Sequence, residues 1–346
     1  MSEGAIPLFL LTGFLGSGKT TLLSKLVRDP AFADTAVIVN EFGEIGLDHA
    51  LVSEGREDGA VLLDSGCLCC TLGDSLDETL EALYYKRERG DIPRFARVVV
   101  ETTGLADPAP IANALAAGRL VSRRFRLASI LTTVDGVHGG QQLDEFDEAR
   151  GQVVMADRLI VTKSDVAPAA DLQSLLARLG AMNPHADIRT AVRGNIPAET
   201  VLDAAFHTAL RGTHACDHHS HAGDHDHEDG SAEHIASHGF LSHVVRCDRA
   251  VTWEGYAAWL ESLQAQLGDR LLRVKGLLRI GDGLYAVHGV RRLFDAPQPV
   301  SWSPPSELVG AVVMIARNAD RKELASAALR LSKAQVVRQP AITNRH

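Results

Sequence analysis

Gly13-Phe14-Leu15-Gly16-Ser17-Gly18-Lys19-Thr20 constrains this chain more than any other stretch. It satisfies the phosphate-loop pattern Gly-x-x-x-x-Gly-Lys-Ser/Thr in full, with an apolar run over 6–11 before it and a helix-prone run over 21–27 after it. Strand, glycine loop and helix in that order form a phosphate cradle. The glycines let backbone N–H groups turn inward, and the helix offers its positive end. Lys19 is placed to reach the β- and γ-phosphates of a nucleotide, and the Thr20 hydroxyl to ligate Mg²⁺. Gly13, Gly16, Ser17, Gly18 and Thr21 complete the expected cradle. The plainer alternative is a glycine turn before a helix, which would not require the buried strand immediately upstream.

A loop of this kind needs a parallel sheet behind it, and the sequence supplies one. Runs over 7–12, 36–40, 61–64, 97–101, 128–134 and 158–162 are rich in Val, Ile and Leu. They read as strands covered on both faces. Helical patterns over 19–27, 75–88, 108–116, 147–155 and 169–179 fall between them. The alternation predicts a doubly wound α/β domain. The stretch 211–238 breaks the pattern, because His, Asp, Gly, Ser and Ala dominate and little that is large and apolar remains to bury. Beyond it, strands over 240–246, 271–280, 284–290 and 309–316 and helices over 253–267 and 321–331 predict a second, smaller α/β domain. The expected division is a P-loop domain over 1–206, a flexible His/Asp-rich linker over 207–239, a C-terminal domain over 240–332 and a tail over 333–346.

Composition narrows the function classes. A length of 346 residues is enough for two cores. The formal charge of −9 argues against a general nucleic-acid or anionic-membrane binder. Met1-Ser2-Glu3-Gly4 carries no basic leader region, and the apolar run over 6–11 is too short to span a bilayer. The five cysteines are odd in number and three are crowded together, which fits reduced thiols better than a disulfide framework. The expectation is a cytoplasmic protein with neither membrane nor nucleic acid as partner.

Three further motifs carry chemistry. Thr162-Lys163-Ser164-Asp165 closes a predicted strand and resembles the guanine-reading motif Asn-Lys-x-Asp, with Thr in first place. A carboxylate such as Asp165 accepts from both N–H groups on the guanine edge, which adenine lacks, so GTP and GDP are expected over ATP. Glu101 ends another buried strand and can reach the Mg²⁺ shell through water, while the Gly104 amide is placed to sense the γ-phosphate. Cys67-Leu68-Cys69-Cys70 offers three thiols before a predicted helix, with Ser75 and Glu78 spaced as a capping box. A helix N-terminus lowers a thiol pKa, and thiolates suit Zn²⁺ or Cu⁺ while disfavouring Mg²⁺, Ca²⁺ or Mn²⁺. Cys67 and Cys69 would share a face if extended, and a turn would bring Cys70 round. The plainer reading is a set of small buried hydrophobes or a redox pair.

Asn40-Glu41-Phe42-Gly43-Glu44 follows the second predicted strand, where nucleotide-sensitive switch loops begin in P-loop proteins. Taken together, the phosphate loop, the Asn40-to-Glu44 segment, Gly66-Cys67-Leu68-Cys69-Cys70, Glu101-Thr102-Thr103-Gly104-Leu105-Ala106-Asp107-Pro108 and Thr162-to-Asp165 resemble the CobW-type metallochaperone GTPases. Arg273-Val274-Lys275-Gly276 extends the resemblance into the second domain, so that it covers roughly 6–332. It implies a slow GTPase of the SIMIBI class with Lys19, Glu101 and Glu41 in the catalytic machinery. It also implies a metal, Zn²⁺ or else Co²⁺ or Fe²⁺, at Cys67, Cys69 and Cys70, with Glu44 a ligand in some members. Some members carry an acid directly before the Asn; Val39 stands there in this chain. The implied partner is a client metalloprotein that receives the metal, and a homodimer is left open. The rival readings are a cobalt or iron insertion factor for cobalamin synthesis or nitrile hydratase, a metal store with secondary GTPase activity, and a P-loop kinase.

Nine histidines lie from His214 to His243, interleaved with acids and uninterrupted by Lys or Arg. Imidazoles beside carboxylates make many weak, interchangeable sites for Zn²⁺, Ni²⁺ or Co²⁺, so the tract is expected to capture metal and Cys216 to join it. The isolated His49, His138, His185 and His288 are read as structural or surface residues, and Cys247 as packed core.

Overall fold

In a computed structural model, the structure describes residues 5–39, 60–62, 68–71, 76–117, 121–202, 239–300 and 303–333. The chain divides into two compact units, Met1–His234 and Ile235–His346. No helix among the described residues is long and apolar enough to cross a membrane.

The first unit is built on β1 (Ile6–Gly13), β2 (Thr35–Val39), β3 (Ala60–Leu62), β4 (Leu68–Thr71), β5 (Arg97–Glu101), β6 (Phe125–Asp135), β7 (Arg158–Thr162) and β8 (Asp187–Thr190). They form one sheet of eight strands in the order β3-β4-β2-β5-β1-β6-β7-β8. Every neighbouring pair is parallel except β3 with β4 at the edge. The interleaved helices are α1 (Lys19–Leu26), α2 (Leu76–Arg89), α3 (Pro108–Ala117), α4 (Val121–Arg124), α5 (Gly139–Glu145), α6 (Asp147–Met155), α7 (Ala169–Met182) and α8 (Ala198–Leu202). The chain moves outward from β1 in both directions, so β1 sits where the strand order reverses, the usual crevice for a ligand in such sheets.

The physical basis is the one read from the sequence. Leu8, Leu10, Ile38, Val98, Ile130, Leu131, Leu159 and Ile160 are almost wholly buried, as strands covered on both faces require. The expected doubly wound domain is therefore the fold that forms. Two strands lie outside the six expected ones. β8 carries a single large apolar residue, Ile188, and lies at the sheet edge, where burial demands less of its sequence. It is anchored by a buried ion pair instead, Arg158 Nε to Asp187 Oδ2 at 2.9 Å. The other is β4, the strand that carries Cys69 and Cys70.

The second unit pairs β9 (Phe240–Arg246), β10 (Leu271–Ile280), β11 (Gly283–Val290), β12 (Leu293–Phe294), β13 (Gln298–Pro299) and β14 (Ala311–Arg317) in a sheet that is antiparallel throughout. Its helices are α9 (Trp253–Leu267) and α10 (Arg321–Lys333). Thr252 caps α9, accepting from the Gly255 N–H at 2.9 Å. Trp259 and Leu263 of α9 pack with Leu324 and Leu331 of α10 and with Val274, Leu278 and Met314 of the sheet. The Trp259 indole donates to Ala327 O at 3.0 Å, so its polar edge is satisfied inside the core. Gly276 sits under the crossing strand: a Cβ there would stand 2.5 Å from Ala311 O and 2.8 Å from Val312 Cα. Cys247 is buried as expected, and burial pushes its thiol pKa up.

Candidate nucleotide and metal site

The parallel register gathers separate motifs at one edge of the sheet. Leu11 lies beside Glu101, Gly13 beside Thr133, and Asp135 beside Thr162. Phosphate loop, strand-end acid and guanine motif therefore share the carboxyl edge although they are far apart in sequence.

Glycine shapes the phosphate loop. Gly13 has φ 143°, and a Cβ there would overlap the Thr133 side chain and carbonyl. Gly16 and Gly18 take φ 71° and 89°, a region that costs an L side chain about 1–2 kcal/mol. Lys19 curls over the loop, its Nζ donating to the Gly13 and Phe14 carbonyls at 2.9 and 3.3 Å. Burial pushes the Lys19 ammonium pKa down, against the opposing pull of the Glu101 carboxylate. Neutral carbonyls compensate a buried ammonium poorly, so a phosphate oxyanion placed here would relieve it.

Hydroxyls tie the loop to its neighbours. Ser17 Oγ and Thr133 Oγ1 share a hydrogen bond of 2.7 Å, and Thr102 Oγ1 donates to Thr12 Oγ1 at 3.0 Å. Thr20 Oγ1 donates to Glu101 Oε1 at 2.6 Å. Two hard oxygens side by side, one opening α1 and one closing β5, are the donor type that Mg²⁺ takes, so these residues fit the ion. Gly104 presses on the loop from the other side, and a Cβ there would stand 2.8 Å from Leu15 N. Thr21 is exposed on α1.

The guanine motif departs from its usual form at Thr162, and the structure explains how the chain accommodates this. Thr162 Oγ1 donates to Ser17 O at 2.7 Å, with Val134 O a poorer acceptor at 3.3 Å. A hydroxyl has one proton to give, so the shorter bond ties β7 to the phosphate loop. Lys163 adopts φ 53°, and its Nζ donates to Asp135 Oδ2 at 2.7 Å. Burial pushes the Asp135 carboxyl pKa up, but the Lys163 ammonium and the Val137 and His138 N–H donors outweigh it and hold it below the ordinary range. A Cβ on Gly136 would stand 2.6 Å from Thr162 O, so glycine is needed where the two strand ends meet. Asp165 faces Arg193, with Oδ2 and Nε 3.5 Å apart. Sequence reasoning missed Thr133, Asp135 and Arg193. Asp135-Gly136 was visible in principle, being an acid that closes an apolar strand as Glu101 does.

The thiol segment differs locally from expectation. Leu68–Thr71 is extended, so a strand rather than a turn carries Cys69 and Cys70, and this strand intervenes before α2. Cys69 aligns with Val37 of β2 and Val61 of β3, and Cys70 with Ile38 and Ala60. The four-residue run is short and thiol-rich, which hid its strand character behind its ligand character. Thr71 stands level with Val39, and Val39 with Glu101. The thiol strand thus ends two strand spacings, about 10 Å, from the acid that faces Thr20. Cys67, Asn40, Glu41, Glu44, Ser75 and the histidine tract through His238 lie outside the described residues. Among the described residues no group of three or more His, Cys, Asp or Glu is placed to hold a metal.

Residues 7–190 match the CobW/HypB/UreG nucleotide-binding domain, and residues 240–330 match the cobalamin synthesis protein CobW C-terminal domain. The zinc chaperone YjiA of Escherichia coli is 33% identical over 306 residues, covering 86% of this chain and 90% of the relative. The zinc chaperone CobW of Pseudomonas aeruginosa is 30% identical over 364 aligned positions, covering 93% and 90%. The crystal structure of the Zn(II)-bound YjiA GTPase superposes with a TM-score of 0.68 at 29% identity, covering 95% of this chain and 99% of that one. With a phosphate loop, a strand-end acid and a guanine motif assembled on one sheet edge, this chain belongs to the CobW/HypB/UreG nucleotide-binding family and carries the CobW C-terminal domain.

Proposed function

We propose that this protein is a GTP-hydrolysing metallochaperone that takes zinc at Cys67, Cys69 and Cys70, with Glu44 completing the donor set, and passes it to a client metalloprotein. The carrying observation is the register that ends the thiol strand level with Val39 and Glu101 in the sheet that holds the phosphate loop. Nucleotide state at Thr20 and Glu101 then has a short route to the thiols, through one intervening strand.

The residues divide the work as follows. Lys19 leaves the Gly13 and Phe14 carbonyls for the β- and γ-phosphate oxygens, a stronger partner for a desolvated ammonium. Thr20 and Glu101 would hold Mg²⁺, which when bound would supply positive charge to the phosphates. Asp165 reads the guanine edge, and Lys163, fixed by Asp135, holds the turn that presents it. Gly104 senses the γ-phosphate, and Glu41 orients the attacking water. GTP binding tightens metal at the thiol site; hydrolysis weakens it and frees the metal for the client. The chain works in the cytoplasm, as one copy or as a homodimer.

The test is a chelator-competition titration of zinc, cobalt and iron with Mg·GDP and with a Mg·GTP analogue. Tighter metal binding with the analogue, and an equal tightening of the analogue by metal, is the expected result, since linkage is reciprocal. One metal affinity in both nucleotide states would refute the coupling.

A further inference from the structure

Gln152 is buried on α6, only 1% exposed, yet its side chain reaches the loop that follows β5. Its Nε2 donates to Gly104 O at 3.1 Å and to Ala106 O at 3.0 Å. An amide nitrogen has two protons, so both are used, one on each carbonyl. The opposite amide orientation would set an oxygen against two carbonyl oxygens, so the partners fix the assignment. Gln152 Oε1 is buried with no hydrogen-bond partner among the described residues. An amide buried with its oxygen unsatisfied carries a cost, which points to a role for its donor side beyond filling space.

The helix that carries Gln152 is held firmly. Thr132 Oγ1 donates to the Gln152 carbonyl at 3.0 Å, fixing α6 against β6. Asn183 Nδ2 reaches the Val153, Val154 and Ala156 carbonyls at 2.9, 3.1 and 2.9 Å and closes the C-terminal end of the helix. At the other end Phe146 packs its ring 4.6 Å from that of Phe14 in the phosphate loop. Gln142 of α5 adds a longer bond from Nε2 to Leu15 O at 3.4 Å. One rigid block therefore touches both the phosphate loop and the Gly104 loop, which themselves meet at Leu15.

We infer that Gln152 is a positioning residue for γ-phosphate recognition. By holding the Gly104 and Ala106 carbonyls toward α6, it fixes the Gly104–Leu105 and Ala106–Asp107 peptide planes. Their trans N–H groups, on Leu105 and Asp107, point the opposite way, and so the shape of the loop that the Gly104 amide opens is held. The loop is thereby set for the triphosphate before the nucleotide arrives, and the diphosphate, which lacks the γ-phosphate, gains nothing from it. This rests on the reading of the site as nucleotide machinery.

The experiment uses the full chain with Gln152→Met and Gln152→Glu, both close in volume to glutamine. Affinities for Mg·GDP and a non-hydrolysable Mg·GTP analogue are measured beside GTP turnover and thermal melting. Loss of two bonds to neutral carbonyls predicts about tenfold weaker analogue binding for Gln152→Met with GDP affinity within about twofold. Gln152→Glu should lose more, because a carboxylate faces the same carbonyls. Equal weakening of GDP and analogue would mean that Gln152 only supports the phosphate loop, and affinities for both nucleotides equal to those of the unsubstituted protein would mean it does nothing for the site. Either result overturns the inference. Failure of the unsubstituted protein to bind GTP would instead overturn the functional reading beneath it.

Discussion

The two sheets bury polar groups in different ways. At the carboxyl edge of the parallel sheet, Thr12, Ser17, Thr102, Thr133, Asp135 and Thr162 are all nearly inaccessible, and each bonds across to another strand, to the turn after one or to the phosphate loop. The helix-facing side of the antiparallel sheet is packed almost wholly with apolar side chains around Trp259. The parallel sheet thus uses side-chain hydrogen bonds to hold a binding edge in shape, while the second unit uses packing to hold itself together. Substitutions in the first should act on ligand affinity, and those in the second on stability.

The largest effect expected from this contrast is in the second unit. Trp259→Ala removes the largest fully buried side chain among the described residues and its bond to Ala327 O; such truncations cost about 3–5 kcal/mol. Denaturant unfolding should show that loss while GTP affinity of the folded protein is unchanged. A parallel drop in GTP affinity would break the division of labour. Next comes acid sensitivity of the nucleotide unit, set by His185 between α7 and β8. Burial pushes its pKa down to about 4, and its Nδ1 has no hydrogen-bond partner among the described residues. The imidazole stays neutral in the folded state, whereas in the unfolded chain it takes a proton near pH 6.5. Its contribution to stability is therefore complete above pH 6.5 and lost as pH falls toward about 4, at most ~3 kcal/mol. Thermal melting against pH should flatten in this window for His185→Gln; an unaltered profile would place the acid sensitivity elsewhere. Smallest is Thr162→Val, which removes the donor to Ser17 O. About 1 kcal/mol, or roughly fivefold, should be lost for GTP and GDP alike with little change in melting. Unaltered nucleotide affinity would show that the tie does not shape the loop.

Much of the first unit was legible because its strands are buried on both faces, so their sequence is continuous in Val, Ile and Leu. Where that constraint relaxes, legibility falls. β8, with only Ile188 to bury, gave no strand signal, and the loop after it brought Arg193 to Asp165 unannounced. β4 was masked by its cysteines. In the second unit the alternation of elements was read correctly, but pairing was not in the pattern: the hairpin through Gly281, at φ 57°, makes β10 and β11 antiparallel neighbours.

By itself, the sequence determined the local chemistry. Glycines at 13, 16 and 18 permit only a loop that most residues cannot adopt, and Lys19 and Thr20 follow it at fixed spacing. It also determined that the chain holds two cores and three crowded thiols. Only the tertiary structure decided which distant groups meet: Thr20 with Glu101, Thr162 with Ser17, Lys163 with Asp135, and Gln152 with Gly104. The reason is register. Residue type and spacing are local, but which strand end lies beside which is fixed by the pairing of the whole sheet, and a hydroxyl becomes a strut only when that pairing sets an acceptor about 3 Å away.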